Sequence, residues 1–358
     1  MEDPTISVGD AQLPADANVA DDSLPTNVKP GDILAGKYRV NKVLGAGGMG
    51  VVVQATHIVL EDKVALKFLL PEFVENEAVS ARFLREAQAA VRIKSPNVAR
   101  VVDVGTLESG APFMVMEYLS GRDLGQELDA IGPFSVETAA KFALQACEAL
   151  ASAHASGIIH RDIKPANLFI TQNADGSPLL KVLDFGISKV ADATGVSNLT
   201  RTHAAMGSPT YMSPEQMRSA KDVDSRADIW SLGVVIFEMV AGTLPFNAES
   251  MPQLVALVLE SEAPSLRDAR PDVDEAFDEL VTRCLQKDTS KRFQDVAELA
   301  SALAPFAGET GYESARRIHR ILNAGSSELL DKSTTDPKAK DTTRKATNPR
   351  IASSTSTS

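Results

Sequence analysis

The stretch that decides the fold reads His160-Arg161-Asp162-Ile163-Lys164-Pro165-Ala166-Asn167, and Asp184-Phe185-Gly186 follows it further along the chain. Phosphoryl transfer needs a carboxylate beside the attacking hydroxyl group and hard oxygen ligands for the metal ion that neutralises the phosphates. Asp162 suits the first role, whereas Asn167 and Asp184 suit the second. Each motif alone could be an ordinary surface feature, but their order and spacing together favour phosphoryl-transfer chemistry.

A glycine-rich segment precedes these motifs and reads Leu44-Gly45-Ala46-Gly47-Gly48-Met49-Gly50-Val51-Val52. It places Gly45, Gly47 and Gly50 in G-x-G-x-x-G spacing, which lets a backbone approach phosphate oxygens and offer N–H donors. Alone this pattern is weak, since it also suits a dinucleotide-binding fold or a plain hairpin. The dinucleotide fingerprint opens a helix, whereas Val51-Val52-Val53 continues as a strand, so the context argues against that fold.

A lysine among apolar residues follows in Val64-Ala65-Leu66-Lys67, and Glu86 lies on a predicted helix over Ala78–Ile93. An ion pair between Lys67 and Glu86 would hold the ammonium group against nucleotide phosphates. Taken singly, Lys67 also fits an exposed position on an edge strand, and Glu86 fits a solvated helix face. The neighbouring motifs favour the ion pair.

The composition describes a globular protein with a hydrophobic core and few cysteines. Of 358 residues, 44% are hydrophobic and 23% are charged, and the net charge of −12 argues against nucleic-acid binding. Cys147 falls on the apolar seam of a predicted helix, which favours a buried structural thiol. The acidic N-terminus is no signal peptide, and no apolar stretch is long enough to span a bilayer. We therefore expect a cytoplasmic protein without a membrane segment.

Composition shifts along the chain predict an α+β fold in which a small antiparallel sheet of five strands with one main helix precedes a larger, mainly helical part. Ser135 is expected to cap the N-terminus of a long helix in that second part. The predicted divisions are a disordered acidic leader (1–36), a catalytic domain (37–305) with an N-lobe (37–118), a hinge (117–122) and a C-lobe (123–305), a candidate helix (306–323) and a disordered Ser/Thr-rich tail (324–358).

With these motifs the chain resembles the eukaryotic-like serine/threonine protein kinases of bacteria. Lys37-Tyr38-Arg39-Val40 and the turn over 47–50 are similar to the bacterial branch in particular. The resemblance implies a bilobal kinase fold that transfers the γ-phosphate of Mg-ATP to Ser or Thr hydroxyls of proteins, with Mn²⁺ as an alternative metal. It also implies autophosphorylation, with a transient homodimer as a candidate arrangement. Lys164 and Ser208 favour Ser/Thr over Tyr acceptors.

The resemblance also assigns roles to individual residues. Asp162 would be the catalytic base or substrate-orienting carboxylate, Lys164 would approach the transferred phosphate, and Asn167 and Asp184 would hold Mg²⁺. Lys67 and Glu86 would form the phosphate-binding pair. The implied ATP contacts are Leu44, Gly45, Gly47, Gly50, Val52, Ala65, Lys67, Met116 as gatekeeper, Glu117 and Leu119 through the hinge backbone, Asp123 toward the ribose, and Leu168 opposite Ala65 across the adenine ring.

Regulation is expected in the activation loop between Asp184 and Glu215. By resemblance, Thr200 and Thr202 are the favoured autophosphorylation sites. Arg161 would pair with a phosphorylated loop residue, and Ser208 would bridge the catalytic Asp and Lys. The scaffold should include two further contacts: a carboxylate at 228 that anchors the catalytic loop, and an ion pair between residues 215 and 292. Ser213-Pro214-Glu215 departs from the more common Ala-Pro-Glu.

Three alternatives compete with an active protein kinase. A pseudokinase would have lost Lys67, Asp162, Asn167 or Asp184, and this sequence retains all four. A small-molecule phosphotransferase on the same fold generally lacks a protein-substrate platform like Ser213-Pro214-Glu215 followed by Asp228-Ile229-Trp230-Ser231-Leu232-Gly233. A purely structural role would require too many catalytic groups to be coincidental.

Overall fold

The computed structural model describes residues 28–46, 50–107, 110–185, 209–219 and 223–334. It divides into two compact units. The N-terminal unit contains the described residues up to Ser80 together with Asp103–Val115, and the C-terminal unit contains Ala81–Val102 and the described residues from Met116 onward.

The sheet of the N-terminal unit has six strands in the order β1-β2-β3-β4-β6-β5. Its strands are β1 (Ile33–Leu34), β2 (Tyr38–Ala46), β3 (Gly50–His57), β4 (Lys63–Leu69), β5 (Val101–Thr106) and β6 (Pro112–Glu117), and the unit also contains α1 (Pro71–Val74). Helix α2 (Glu77–Arg92) begins in this unit, but from Ala81 onward it belongs to the C-terminal unit. The pairs β1–β2, β2–β3 and β3–β4 are antiparallel. The sequence predicts five strands. The sixth is the two-residue β1, which precedes the predicted domain start and pairs with Tyr38 and Arg39.

The alternation of side chains along β3 and β4 decides which of them enter the main hydrophobic cluster of the N-terminal unit. Val51 and Val53 are fully buried and lie opposite Phe68 and Leu66 in the antiparallel register. Because successive residues of a strand point to opposite faces, the position between Leu66 and Phe68 must face away from this core. Lys67 occupies that position and is half-buried, so the ammonium-bearing side chain shares no face with the core residues.

The C-terminal unit combines helices with a three-stranded sheet in the order β7-β8-β9. Its elements are β7 (Arg122–Asp123), β8 (Leu168–Gln172), β9 (Pro178–Val182), α3 (Leu124–Ile131), α4 (Val136–Ala155), α5 (Pro214–Arg218), α6 (Arg226–Ala241), α7 (Met251–Glu260), α8 (Leu266–Ala269), α9 (Glu275–Cys284), α10 (Val296–Leu303) and α11 (Gly311–Thr334), with short 3₁₀ segments at Pro165–Asn167, Pro209–Tyr211 and Ala304–Phe306. The sequence does not predict the small sheet.

Two central helices explain why this unit holds its loops firmly. Helix α4 begins after Ser135, whose hydroxyl accepts the Thr138 N–H at 3.1 Å, as the sequence predicts. Helix α6 is buried on almost all sides, and its Trp230 stacks on Phe246 with ring centroids 5.8 Å apart. An apolar helix that is buried all round gives the surrounding loops a rigid support.

The two cysteines and the C-terminal helix complete the comparison with the predicted features. Cys147 and Cys284 are fully buried, and burial raises the pKa of both thiols, that of Cys284 to about 12, so the expectation of a structural thiol at Cys147 is confirmed. Helix α11 begins at Gly311, inside the predicted segment 306–323, and continues into the predicted tail. Among the described residues, no helix has the length and apolar character needed to cross a bilayer. The domain boundaries stay predictions.

Candidate active site

The catalytic loop is attached to helix α6 through one buried carboxylate. Asp228 is fully buried, and its Oδ2 accepts the backbone N–H of His160 at 2.9 Å while its Oδ1 accepts that of Arg161 at 2.7 Å. The Nε2 of His154, at the end of α4, lies 2.8 Å from Oδ2. Arg161 has a φ of +64°, a conformation that non-glycine residues rarely adopt without such support. The expected anchoring role of Asp228 is confirmed.

Asp162 forms hydrogen bonds with both of the other polar residues of this loop that were assigned to catalysis or metal binding. The Nζ of Lys164 donates to the Oδ2 of Asp162 at 2.9 Å. The amide nitrogen of Asn167 donates to the backbone carbonyl of Asp162 at 2.8 Å and to its Oδ2 at 3.1 Å. Because the amide nitrogen faces Asp162, the amide oxygen is the atom of Asn167 that suits a hard metal ion.

His160 connects the catalytic loop to the segment that carries Asp184. Its ring Nε2 lies 2.8 Å from the carbonyl of Leu183, and its Nδ1 accepts the Asp162 N–H at 3.2 Å, an arrangement that requires the proton on Nε2. The ring also packs against Phe185 with centroids 4.7 Å apart. Burial is the main influence on the pKa of His160 and lowers it, which favours the neutral ring that both hydrogen bonds need.

Asp184 and Asn167 are linked through backbone contacts. The N–H of Leu183 donates to the carbonyl of Asn167 at 2.8 Å, immediately before Asp184, whose φ is +44°. Among the described residues, no cluster of three or more His, Cys, Asp or Glu side chains could hold a metal ion alone. A donor set of one carboxylate and one amide fits an ion that completes its shell with phosphate oxygens and water.

The residues predicted to meet the nucleotide in the N-terminal unit share one part of the sheet. Val52 lies opposite Lys67 in the β3–β4 register and also pairs with Gly45 on β2. Ala65 stands two residues before Lys67 on the same strand and therefore on the same face. The structure thus brings Val52, Ala65 and Lys67 together, with Leu44 exposed next to Gly45.

The third glycine of the loop has a clear steric reason. A Cβ at Gly50 would lie 2.6 Å from the backbone carbonyl oxygen of Phe68, so any other residue would displace the strand. Gly47 and the side chain of Glu86 lie outside the described part of the chain, so the ion pair expected between Glu86 and Lys67 stays a prediction.

The predicted hinge residues are engaged in contacts of their own. The N–H of Glu117 donates to the carbonyl of Arg100 at 3.0 Å, and Met116 and Leu119 are half-buried. Asp123 forms a capping box with Gln126 at the start of α3, with its side chain accepting the Gln126 N–H at 2.9 Å. That capping role was not predicted, although Asp and Gln three residues apart before an apolar run are its usual signal. A ribose contact of Asp123 stays a prediction.

Leu168, predicted to lie under the adenine ring, is almost completely buried at the start of β8 and belongs to the hydrophobic core of the C-terminal unit. Its backbone pairs with Val182 on β9. Its position is therefore fixed by both packing and strand pairing.

The segment after the activation loop is held by a buried ion pair. Arg292 is fully buried, and its guanidinium nitrogens donate to the two carboxylate oxygens of Glu215 at 2.6 and 2.8 Å, which confirms the expected pair. The hydroxyl of Ser213 caps α5 by accepting the N–H of Gln216 in a capping box, which explains serine in place of alanine. The side-chain amide of Gln216 donates to the carbonyl of Arg161 at 2.9 Å.

The regulatory residues lie mostly outside the described part of the chain. This applies to Thr200, Thr202 and Ser208. Arg161 is described, and its guanidinium lies 3.4 Å from the carbonyl of Val223. Pairing of Arg161 with a phosphorylated residue stays a prediction.

This geometry agrees with the comparisons with known proteins. Residues 38–303 match the protein kinase domain, so the chain belongs to the protein kinase family. It is 39% identical to serine/threonine-protein kinase pkn3 of Myxococcus xanthus over 73% of this chain and 48% of that protein, and 34% identical to PrkC of Bacillus subtilis over 75% of this chain and 40% of that protein. The resemblance to bacterial serine/threonine kinases is confirmed.

A solved structure shows the same fold. The kinase domain of PknI from Mycobacterium tuberculosis superposes with a TM-score of 0.61 at 28% identity, covering 78% of this chain and 100% of that one. The chain spans about half the length of the curated relatives that it matches. Membership of this family implies the use of ATP, a divalent metal ion and protein substrates.

Proposed function

We propose that this chain is a serine/threonine protein kinase that transfers the γ-phosphate of Mg-ATP to Ser or Thr hydroxyls of proteins. The observation that carries the proposal is the hydrogen-bonded group of Asp162, Lys164 and Asn167, held in place by the buried Asp228. Such a preformed group of catalytic side chains supplies the positioning and charge stabilisation on which phosphoryl transfer depends.

The roles follow from the atoms on each side chain. The Asp162 carboxylate would orient the acceptor hydroxyl and take up its proton as the new O–P bond forms and ADP departs. Lys164 donates to Asp162 at 2.9 Å, and its ammonium group would approach the transferred phosphoryl oxygens. Lys67 would bind the α- and β-phosphates. When bound, Mg²⁺ or Mn²⁺ neutralises phosphate charge, and Asn167 and Asp184 would hold it.

Acceptor specificity rests on the same loop. Lys164 stands two residues after Asp162 and is paired with it, and a lysine at this position is what the resemblance to serine/threonine kinases implies. We therefore propose Ser and Thr as acceptors. The need for ATP also supports a cytoplasmic location for the catalytic domain.

The decisive test is phosphate incorporation from γ-labelled Mg-ATP into the purified chain and into a generic basic protein. Asp162→Asn should abolish the labelling, and phosphoserine or phosphothreonine should be recovered from the wild type. Asp272→Asn is a matched control, because Asp272 is exposed and pairs only with Arg270 among the described contacts. Labelling that persists in Asp162→Asn, or its absence from the wild type, would refute the proposal.

Activation by autophosphorylation is a separate part of the proposal. Thr200 and Thr202 would be modified in trans within a transient homodimer, and their phosphates would pair with Arg161. Replacing both threonines with alanine should lower activity at least several-fold relative to the phosphorylated wild type, as fits a change of charge at a regulatory loop. A double variant with unchanged kinetics would contradict this activation route.

A further inference from the structure

A nearly buried ion pair joins the predicted hinge to strand β9. The Nζ of Lys181 donates to the Oε1 of Glu117 at 2.8 Å, and the two side chains are 11% and 25% exposed. Because the pair is largely shielded from water, breaking it would leave a poorly solvated charge, unlike the loss of an exposed surface pair. The roles assigned above leave the Lys181 side chain and the Glu117 carboxylate without a function.

A third segment makes this contact part of a closed network. The same Oε1 accepts the Arg100 N–H at 2.7 Å, while the Glu117 N–H donates to the Arg100 carbonyl at 3.0 Å. One residue earlier, the Ala99 N–H donates to the carbonyl of Val182 on β9 at 3.0 Å. Hydrogen bonds therefore join the segment before β5 to both the hinge and β9, and the Lys181 ammonium joins β9 directly to the hinge.

Strand β9 leads directly to the predicted metal ligand. Leu183 lies two residues beyond Lys181. Its carbonyl accepts a hydrogen bond from the His160 ring, and its N–H donates to the carbonyl of Asn167. Asp184 is the next residue. A displacement of Lys181 would therefore be transmitted over a short and well-bonded stretch to Asp184.

We propose that Lys181 and Glu117 form a positioning pair that sets the affinity for nucleotide. The pair fixes the hinge backbone, which would bind adenine, relative to β9, the strand that leads to Asp184, which would bind the metal on the phosphates. Neither side chain contacts the reacting atoms, so the pair acts on nucleotide binding rather than on the transfer step. The inference rests on the proposed function only for the place where the nucleotide binds.

Lys181→Met removes the ammonium group and keeps most of the stem. ADP with Mg²⁺, titrated into the full chain by calorimetry, should bind about tenfold more weakly, equivalent to about 1.4 kcal/mol at 25 °C. The KM for ATP should rise by a similar factor, while kcat and the KM for a protein substrate change less than about twofold. Lys141→Met is the matched control, because Lys141 forms an exposed ion pair with Glu137 on α4 and should leave ADP affinity unchanged.

Glu117→Gln keeps an oxygen for the Arg100 N–H and removes only the charge. It should weaken ADP binding in the same direction, about two- to fivefold, and it decides the question if Lys181→Met does not fold. The double variant should lose no more affinity than Lys181→Met alone, because the pair can be broken only once. Normal ADP affinity in both single variants, or a fall in kcat with unchanged KM for ATP, would overturn the inference.

The ADP titration separates this inference from the proposed function. A wild type that binds ADP but phosphorylates no protein refutes the kinase proposal, whereas weakened binding in Lys181→Met still supports the positioning pair. A wild type that phosphorylates proteins, with ADP affinity unchanged in the variants, refutes only the positioning pair. A wild type that binds no ADP refutes both.

Discussion

Replacing Asp228 with asparagine should both destabilise the C-terminal unit and disable the catalytic loop. The carboxylate accepts three hydrogen bonds, from the backbone of His160 and Arg161 and from the ring of His154. An amide has one acceptor oxygen. If that oxygen takes the place of Oδ2, the NH₂ group of the amide takes the place of Oδ1. It then faces the Arg161 N–H, and two donors meet without an acceptor. We expect about 1.5–3 kcal/mol from the lost charge-assisted bond and a further 1–2 kcal/mol from weakening the other two.

The total, about 2.5–5 kcal/mol, is a large part of the 5–15 kcal/mol that usually stabilises a folded protein. Urea unfolding should therefore show a clearly lower midpoint with an unchanged slope. The loss should be greater for function than for folding, since the N–H that loses its bond belongs to Arg161, which has a φ of +64° directly before Asp162. A shift of about 1 Å in Asp162 would lower kcat by roughly a hundredfold.

The pH dependence of the free energy of unfolding provides a second test of the role of Asp228. Burial alone would raise the pKa of Asp228, but hydrogen bonds and charge interactions with His154, His160 and the Arg161 N–H outweigh it and hold the pKa below its ordinary value. A carboxyl whose pKa is lowered on folding stabilises the protein fully above its unfolded pKa near 3.9, and this stabilisation is lost as pH falls through the folded pKa. Asp228→Asn should remove that part of the acid sensitivity.

The control is Asp272→Asn, which changes an exposed carboxylate and should leave the unfolding midpoint and kcat close to those of the wild type. If Asp228→Asn lowers the free energy of unfolding by less than about 1 kcal/mol and retains its kcat, the hydrogen bonds of Asp228 contribute less than expected and other contacts hold the loop.

Three further perturbations test separate contacts. Arg292→Met leaves the Glu215 carboxylate without its buried partner and should lower the free energy of unfolding by about 3–5 kcal/mol; a loss below 1 kcal/mol in a urea titration would contradict this. Ser135→Ala removes the N-cap of α4 and should cost about 1 kcal/mol by the same assay, with no effect expected if the cap is not formed in solution. His160, whose pKa burial lowers, should contribute stability in full above about pH 6.5 and lose it as pH falls. In His160→Gln the stability difference between pH 7.5 and 5.5 should therefore shrink, and an unchanged difference would count against a buried neutral ring.

Most of the helical architecture could be predicted from sequence because its signals are local. Helix α6 follows from an apolar run, and α4 follows from a cap at Ser135 and an apolar periodicity. The contacts of Asp228 and the pair of Glu215 with Arg292 were accessible only through family resemblance, since 77 positions separate the two members of that pair. No local pattern reveals such a distant partner.

The features that were missed are short or depend on distant contacts. Strands β8 and β9 have five residues each and join through Asp175-Gly176, a turn signal between two apolar runs that could have identified the hairpin. Helix α11 is buried against the helical core at Ala315 and Ile318, and its backbone continues past 323, the predicted end of this segment. The contact between Lys181 and Glu117 spans 64 positions and has no local signal.

The three backbone anchors of the catalytic loop all come from the C-terminal unit. Asp228 of α6 holds the N–H groups at the start of the loop, Gln216 of α5 binds the carbonyl of Arg161, and Leu183 after β9 binds Asn167 at the end. Each anchor uses a buried or capped group whose own partners are fixed, so the loop geometry depends on the scaffold rather than on its own sequence. Preorganisation of this kind allows charge stabilisation without reorganisation during the reaction. The loop motif therefore identifies the chemistry, whereas residues far away in sequence determine whether that chemistry can occur.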